Sequence, residues 1–267
     1  MEISSIAIIA NDDKDPEFAF TRQIVEFLNE KGIASEVVAT SEKRYPSEDH
    51  SFWITLGGDG TMLRYVPQAV KYDTPVMGIN LGTMGFLTDA EKNEGIAALE
   101  KILNGQYKYE ERLMLVATVS EYSIESNIFA LNEVCVGGTG NLKTFSVVTN
   151  DIAFDIRADG IIISSPTGST AYNLSAGGPL LAPSCDVMVI TPLNSHSLNA
   201  RSLVIGEKDL VSIIVNQDTS LIADGHKYTD VLQNKLVSVT ALKKRAKIIR
   251  TTEPANLFET LKRKKIL

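Results

Sequence analysis

Cysteine is nearly absent: the 267 residues hold only Cys135 and Cys185, with no C-x-x-C spacing. That excludes a disulfide framework and a thiolate zinc site, and it fits a reducing compartment. Histidine is as sparse. His50, His196 and His226 share no metal-ligand spacing and no H-E-x-x-H occurs, so no residue is assigned to a metal. Positive charge is short as well. With 26 Lys+Arg against 33 Asp+Glu the formal net charge is −7, which argues against a nucleic-acid partner, because phosphate neutralisation needs a clustered cationic surface. No run approaches the ~18 apolar residues of a membrane span. The opening Met1-Glu2-Ile3-Ser4-Ser5 lacks the basic start and apolar stretch of a secretion signal. A cytoplasmic protein without a membrane partner is expected. Two nucleotide motifs are missing too. The nearest approach to G-x-x-x-x-G-K-[ST], Gly140-Asn141-Leu142-Lys143-Thr144, has no glycine before its lysine, and Gly78, Gly82 and Gly85 are wrongly spaced for G-x-G-x-x-G. This is neither a P-loop enzyme nor an ordinary Rossmann dehydrogenase.

What is present is an ordinary globular composition, 44% hydrophobic and 22% charged, in a chain long enough for about two domains. The first hundred residues alternate strand and helix signals. Ile6-Ala7-Ile8-Ile9-Ala10 reads as a buried parallel strand. Phe20, Ile24, Phe27 and Leu28 mark one face of a helix that Gly32 can cap. Further strands are expected over 33–39, 52–56 and 75–79, and helices over 61–71 and 94–103. That alternation predicts βαβ units. Near Asn104-Gly105 the pattern changes to short β-branched runs: 113–119, 145–149, 152–156, 161–164, 211–215 and 236–241, with Asn150-Asp151 as a hairpin turn. The fold class expected is an α/β N-terminal domain with a parallel sheet (1–106) followed by a β-rich C-terminal domain (107–250). A last helix lies within 251–267, its Lys/Arg cluster at the C-terminal end, free to pack back on the first domain.

Three motifs carry the candidate chemistry. Gly57-Gly58-Asp59-Gly60-Thr61 stands after an apolar strand and before a helix, where an α/β sheet collects ligands. Adjacent glycines let backbone N–H groups approach a polyphosphate, and a helix N-terminus adds its dipole. A carboxylate among them is costly unless it serves magnesium or takes a proton; the alternative is a tight turn with Asp59 as helix cap. The second is Arg157-Ala158-Asp159-Gly160 followed by the hydroxyl- and glycine-rich 164–179. Its short donors and one aromatic ring suit a nucleotide, and equally a long structural loop. The third, Leu131-Asn132-Glu133, is either a reader of an adenine edge or ribose hydroxyls or an exposed strand end.

Taken together these motifs resemble the NAD kinase family in order and spacing, from about residue 50 to 226. Gly78-Ile79-Asn80-Leu81-Gly82-Thr83-Met84-Gly85-Phe86-Leu87 and Gly177-Gly178-Pro179 agree as well. The first motif is shared with phosphofructokinases and with diacylglycerol and sphingosine kinases; the stretch ending Thr170-Ala171-Tyr172 is the specific part. The resemblance implies phosphate transfer from ATP, with magnesium, to the 2′-hydroxyl of the adenosine ribose of NAD, in a homodimer or homotetramer. It makes Asp59 the proton acceptor and packs Gly60 on the dinucleotide. Asn132 and Glu133 would hold the nicotinamide end or its ribose, with Asp159 beside them and Arg157 at a cofactor-associated position. Thr170, Ala171, Tyr172 and Ser175 would form the adenosine-side wall, and Arg64 and Lys143 would contact phosphate. The chain departs from the family at Ser195-His196, at Ser202 after Arg201, and at His226, where a glutamine often ends the Asp224-Gly225 triplet. A regulator that binds NAD(P) without catalysis is the alternative on the same fold, and Asp59 discriminates, since a sensor needs no carboxylate in its phosphate turn.

Overall fold

The computed structural model describes residues 3–82, 85–120, 127–138, 140–197, 199–252 and 260–262. It begins with alternating elements: β1 (Ser5–Ala10), α1 (Ala19–Glu30), β2 (Ala34–Ala39), β3 (Phe52–Gly57), α2 (Asp59–Tyr72), β4 (Val76–Asn80), the short β5 (Ala90–Glu91), α3 (Gly95–Leu103) and β6 (Lys108–Arg112). A long run of strands follows: β7 (Leu115–Val119), β8 (Ile128–Ala130), β9 (Glu133–Gly137), β10 (Lys143–Val148), β11 (Ala153–Ala158) and β12 (Gly160–Ser164). After a single helical turn, α4 (Tyr172–Ser175), come β13 (Val187–Leu193), β14 (Leu203–Gly206), β15 (Leu210–Val215), β16 (Thr219–Ala223), β17 (His226–Val231), β18 (Leu236–Ala241) and finally β19 (Ala246–Arg250). The chain forms two compact units, one from Met1–Glu111 with Ala246–Leu267, the other from Arg112–Arg245.

The first unit is a sheet ordered β2-β1-β3-β4-β19-β6, with β1 through β4 parallel. Its central strands β1, β3 and β4 are buried on both faces, because helices cover both. Phe20, Ile24 and Leu28 of α1 pack with Ala98, Leu99 and Ile102 of α3 against Ile6, Ile8, Ile54 and Ile79. The helix α2 lies on the opposite face: a Cβ on Gly78 would meet Met62 Sδ at 2.4 Å. The connection from β1 leads to β2 on one side, and β3 then pairs with β1 on the other. The chain therefore reverses direction across the sheet at the β1/β3 pair, and a crevice opens at the C-terminal ends of those two strands.

The second unit consists of two antiparallel sheets, β11-β10-β15-β18-β7-β8 and β14-β13-β12-β9-β16-β17. They share one apolar core, to which Phe145, Val147, Ile213 and Val237 contribute from the first and Val134, Ile161, Ile163 and Ile190 from the second. The alternation of Phe145, Val147 inward and Ser146, Val148 outward is what a strand with one buried face requires. Asn150-Asp151 does join β10 and β11 as a hairpin, closed by Thr149 N–H donating to the Ile152 carbonyl at 2.8 Å.

An α/β unit with a parallel sheet and a β-rich unit are thus both present, with three differences from the sequence expectation. The division falls at Arg112, several residues beyond 106, because β6 stays in the first sheet. Residues 246–250, grouped by pattern with the β-rich domain, form β19 beside β4, with Ile248 opposite Val76. Strand periodicity shows that a segment is extended; it does not show which sheet receives it. Helix α2 starts at Asp59 and not at Thr61, since Gly58 in extended conformation already serves as its N-cap. The expected terminal helix over 254–264 lies mostly outside the described residues. Within it 260–262 are helical and Leu261 is fully buried.

Candidate active site

In the first unit the crevice is built from the loops that leave β1, β3 and β4. The glycines of the β3 turn have different jobs. A Cβ on Gly57 would lie 2.2 Å from Thr61 Oγ1, so the turn tolerates no side chain there. Gly60 is exposed, with no atom within 4 Å of a built Cβ, so internal packing does not demand glycine at that point. Asp59, first residue of α2, does not cap its own helix. Its Oδ2 accepts the Phe86 N–H at 2.8 Å and its Oδ1 the Leu87 N–H at 3.0 Å. A Cβ on Gly85 would lie 1.9 Å from Asp59 Oδ1, so Gly85 leaves the room the carboxylate occupies. The Leu87 segment is held from its other side by Arg250 of β19. This buried guanidinium donates to the Leu87 and Thr88 carbonyls at 3.0 and 2.9 Å and pairs with Glu110 at 2.6 Å. At the end of β4, Asn80 fixes Gly82 by a reciprocal pair of bonds, Nδ2 to the Gly82 carbonyl and Gly82 N–H to Oδ1.

In the second unit the functional candidates gather at the start of β9 and the 164–179 segment. Asp224, in a left-handed conformation (φ +46°), accepts the N–H groups of Leu131, Asn132 and Glu133 in its carboxylate. It thereby shapes the backbone of the Leu131-Asn132-Glu133 motif. Burial still pushes its carboxyl up, to about 6, against those three donors. Glu133 is also buried, and its Oε2 has no hydrogen-bond partner among the described residues. Burial first, then the Asp224 charge, push Glu133 up to about 8, while the Tyr172 N–H pulls it down. Where two carboxyls share one place, the proton goes to the one with fewer donors, and that is Glu133.

The hydroxyl-rich segment is stitched to itself and to the β9 entry. Ser165 Oγ donates to the Leu131 carbonyl, and Ser165 N–H to the Asn132 carbonyl at 2.8 Å. A Cβ on Gly168 would stand 2.1 Å from the Asn132 carbonyl oxygen. Asn173, wholly buried, donates through Nδ2 to the Ser169 and Pro179 carbonyls and accepts the Thr191 hydroxyl at 2.7 Å. Gly178 must be glycine, since a Cβ there would lie 2.0 Å from Asn173 Oδ1. Ser164, Ser165 and Ser169 are fully buried, whereas Thr170, Ala171 and Tyr172 are half-buried and Ser175 is exposed.

The structure therefore places Asp59, Gly60 and Arg64 in the first unit. Arg64 donates to the Thr40 carbonyl at 3.0 Å and stacks over Tyr65. In the second unit Glu133, next to Asn132, meets Tyr172, whose hydroxyl is pushed up by burial and by Cys135, Glu133 and Asp159. Asp159 Oδ2 accepts Asn194 Nδ2 at 3.0 Å. Arg157 is exposed at the end of β11, and Lys143 is buried with Nζ on the Asn141 carbonyl at 3.0 Å. Sequence reasoning did not bring Asn80 and Gly85 to the turn and treated Asp224 only as part of a variant triplet. The signal for Asn80 was available: in a parallel sheet the loops after β1, β3 and β4 must meet at one edge.

Two family models match this chain, the ATP-NAD kinase N-terminal domain over residues 41–107 and the ATP-NAD kinase C-terminal domain over 131–251. Among curated relatives, the NAD kinase of Lachnoclostridium phytofermentans is 34% identical over 98% of this chain and 99% of its own length. That of Caldicellulosiruptor saccharolyticus is 35% identical over 97% and 98%. The chain belongs to the NAD kinase family. Its fold is also that of two solved structures, each with a TM-score of 0.79. One is yeast NADH kinase complexed with NADH, 20% identical over 98% of this chain and 87% of that one. The other is an NAD kinase from Archaeoglobus fulgidus in complex with ATP, 22% identical over 97% and 98%. In this NAD kinase family member the three expected motifs fall at two places, the glycine turn of the α/β unit and the β9 entry of the β unit.

Proposed function

We propose that this chain transfers the γ-phosphate of ATP to the 2′-hydroxyl of the adenosine ribose of NAD, giving NADP and ADP. The observation that carries this reading is the Asp59 carboxylate, fixed by two N–H donors at a glycine turn on the carboxyl end of a parallel sheet. The 2′-oxygen forms its bond to the γ-phosphorus as the bond to the β–γ bridging oxygen breaks, ADP leaves with that oxygen, and the hydroxyl proton passes to Asp59. A carboxylate has about four lone-pair sites, so the two N–H bonds leave Asp59 able to take that proton. A positioned base contributes ~10²–10⁴-fold; positioning and charge stabilisation supply the rest.

In this reading Gly60 packs on the dinucleotide, Asn132, Glu133 and Asp159 hold its nicotinamide side with Arg157 nearby, and Thr170, Ala171, Tyr172 and Ser175 form the adenosine wall. Arg64 and Lys143 serve phosphate. Among the described residues no three of His, Cys, Asp and Glu gather to cage a metal, which suits a magnesium ion carried mainly by substrate phosphates and water. On the ATP phosphates that ion would neutralise the charge of the transferring group. We further propose a cytoplasmic homo-oligomer. Two free cysteines fit a reducing compartment, and no helix among the described residues is long and apolar enough to cross a membrane.

The test compares NAD with two analogues under saturating magnesium-ATP, with products read by mass spectrometry. NAD and the analogue without the nicotinamide-ribose 2′-hydroxyl are expected to be phosphorylated. The analogue without the adenosine 2′-hydroxyl should bind with modest loss, about 0.5–1.5 kcal/mol for one hydrogen bond, and accept nothing. Phosphorylation of that last analogue sinks the assignment of the reacting group. NAD that binds without reacting favours the non-enzymatic regulator.

A further inference from the structure

We propose that Lys14 is the cation that binds the polyphosphate of the donor nucleotide at the glycine turn, an inference that rests on the kinase reading above. The loop after β1 is tightly anchored. Asn11 N–H donates to the Leu56 carbonyl at 2.9 Å, and Asn11 Nδ2 to Thr61 Oγ1 at 3.3 Å. Lys14 N–H in turn donates to the Asn11 carbonyl and side-chain oxygen at 3.0 and 3.2 Å. These bonds fix the point from which the Lys14 side chain springs, beside β3 and above the turn.

Of the three carboxylates beside it in the chain, Asp13 is exposed and the other two are committed elsewhere. Asp12 accepts Thr40 Oγ1 and the Ser41 N–H at 2.7 and 3.2 Å, and Asp15 accepts the Phe20 and Thr21 N–H groups at the start of α1. The Lys14 ammonium instead reaches the glycines: a Cβ on Gly58 would lie 3.3 Å from Nζ, and one on Gly82 3.9 Å from it. Gly58 and Gly82 thus clear the approach to an exposed ammonium at the crevice where β1 and β3 part. Arg64, a cation of α2 in the same unit, donates to the Thr40 carbonyl and lies over the Tyr65 ring. A point charge on a flexible stem beside glycines that leave the backbone open is a chemistry for phosphate oxygens. Lys14 sits in the unit that carries Asp59, which matches it to the donor and not to the dinucleotide wall of the other unit.

Lys14→Met keeps the stem and removes the charge. Its affinity for magnesium-ATP by calorimetry is expected to fall about ten- to a hundredfold, the usual loss for a charged hydrogen bond, with KM for ATP rising in step. KM for NAD should stay within twofold and the melting temperature unchanged, because Lys14 is exposed. Lys14→Arg should restore most of the ATP affinity. A Met variant that binds magnesium-ATP within twofold of the parent overturns the proposal, as does a loss that falls on NAD alone. A parent protein that binds magnesium-ATP yet forms no NADP refutes the kinase reading, and calorimetry still decides Lys14. A parent that binds no magnesium-ATP overturns both.

Discussion

Around Asp59 glycine makes room for a carboxylate that faces the crevice side of its turn, whereas in the 164–179 segment glycine makes room for a side chain that holds the loop. Gly85 yields its Cβ space to a half-exposed carboxylate; Gly178 yields it to the wholly buried Asn173 amide. The first turn leaves Gly60 exposed and with nothing packed against it. The second turns Ser165, Ser169 and Asn173 inward, where each donates to a backbone carbonyl. A segment dense in hydroxyls is therefore no measure of how many hydroxyls meet a ligand.

Substitutions at the two turns should separate chemistry from scaffolding. The largest effect belongs to Asp59→Asn: turnover is expected to drop ~10²-fold or more with NAD affinity by calorimetry retained. Asparagine offers one acceptor to two N–H groups, so a small local loss of stability accompanies it. Turnover within a few-fold of the parent would remove Asp59 from the base role. Gly85→Ala comes next. Its Cβ must displace the carboxylate, and a misplacement of about 1 Å can cost up to ~10²-fold. The double variant should be no slower than Asp59→Asn alone, because both act through one carboxylate; losses that multiply would mean that Gly85 acts by another route.

In the other turn Asn173→Ala should lower the melting temperature by about 5–10 °C. It strands several buried groups at roughly 1–3 kcal/mol each, in part relieved by water. Ser175→Ala, at an exposed hydroxyl, should leave it within about a degree. Equal shifts would erase the distinction between inward and outward hydroxyls. The last comparison concerns Glu133. Its folded pKa, about 8, lies above the ordinary carboxylate value, so the native state holds the proton longer than the unfolded one. Stability then falls as pH rises from about 4.5 to 8. Glu133→Gln should flatten that slope in melting curves recorded across the window, and a slope identical to the parent's would show Glu133 ionised at no cost.

The sequence made the architecture legible wherever one face of an element is apolar, as with Phe20, Ile24 and Leu28 or the alternation in β10. It was silent where pattern carries no periodic signal. β17, His226–Val231, is largely exposed, and β9 is buried at every residue; neither alternates. The glycine turn was readable because its residues are contiguous. The partners of Asp59 lie 27 and 28 residues away, and Lys14 reaches the turn from the loop after another strand, so only the fold could join them. Asp224 stands 91 to 93 residues from the N–H groups it accepts, and no local pattern links them.

The return of the chain to its first sheet sets an order on biosynthesis. The Leu87 and Thr88 carbonyls are gripped by Arg250, and β4 receives its neighbour only when Ala246–Arg250 has been made. A chain made only as far as Arg245 thus holds Asp59 and the entire second unit and still lacks the guanidinium that steadies the segment holding Asp59. The glycine turn precedes the second unit in the chain and is completed only after it, so a chain that stops short of β19 has an unfinished turn.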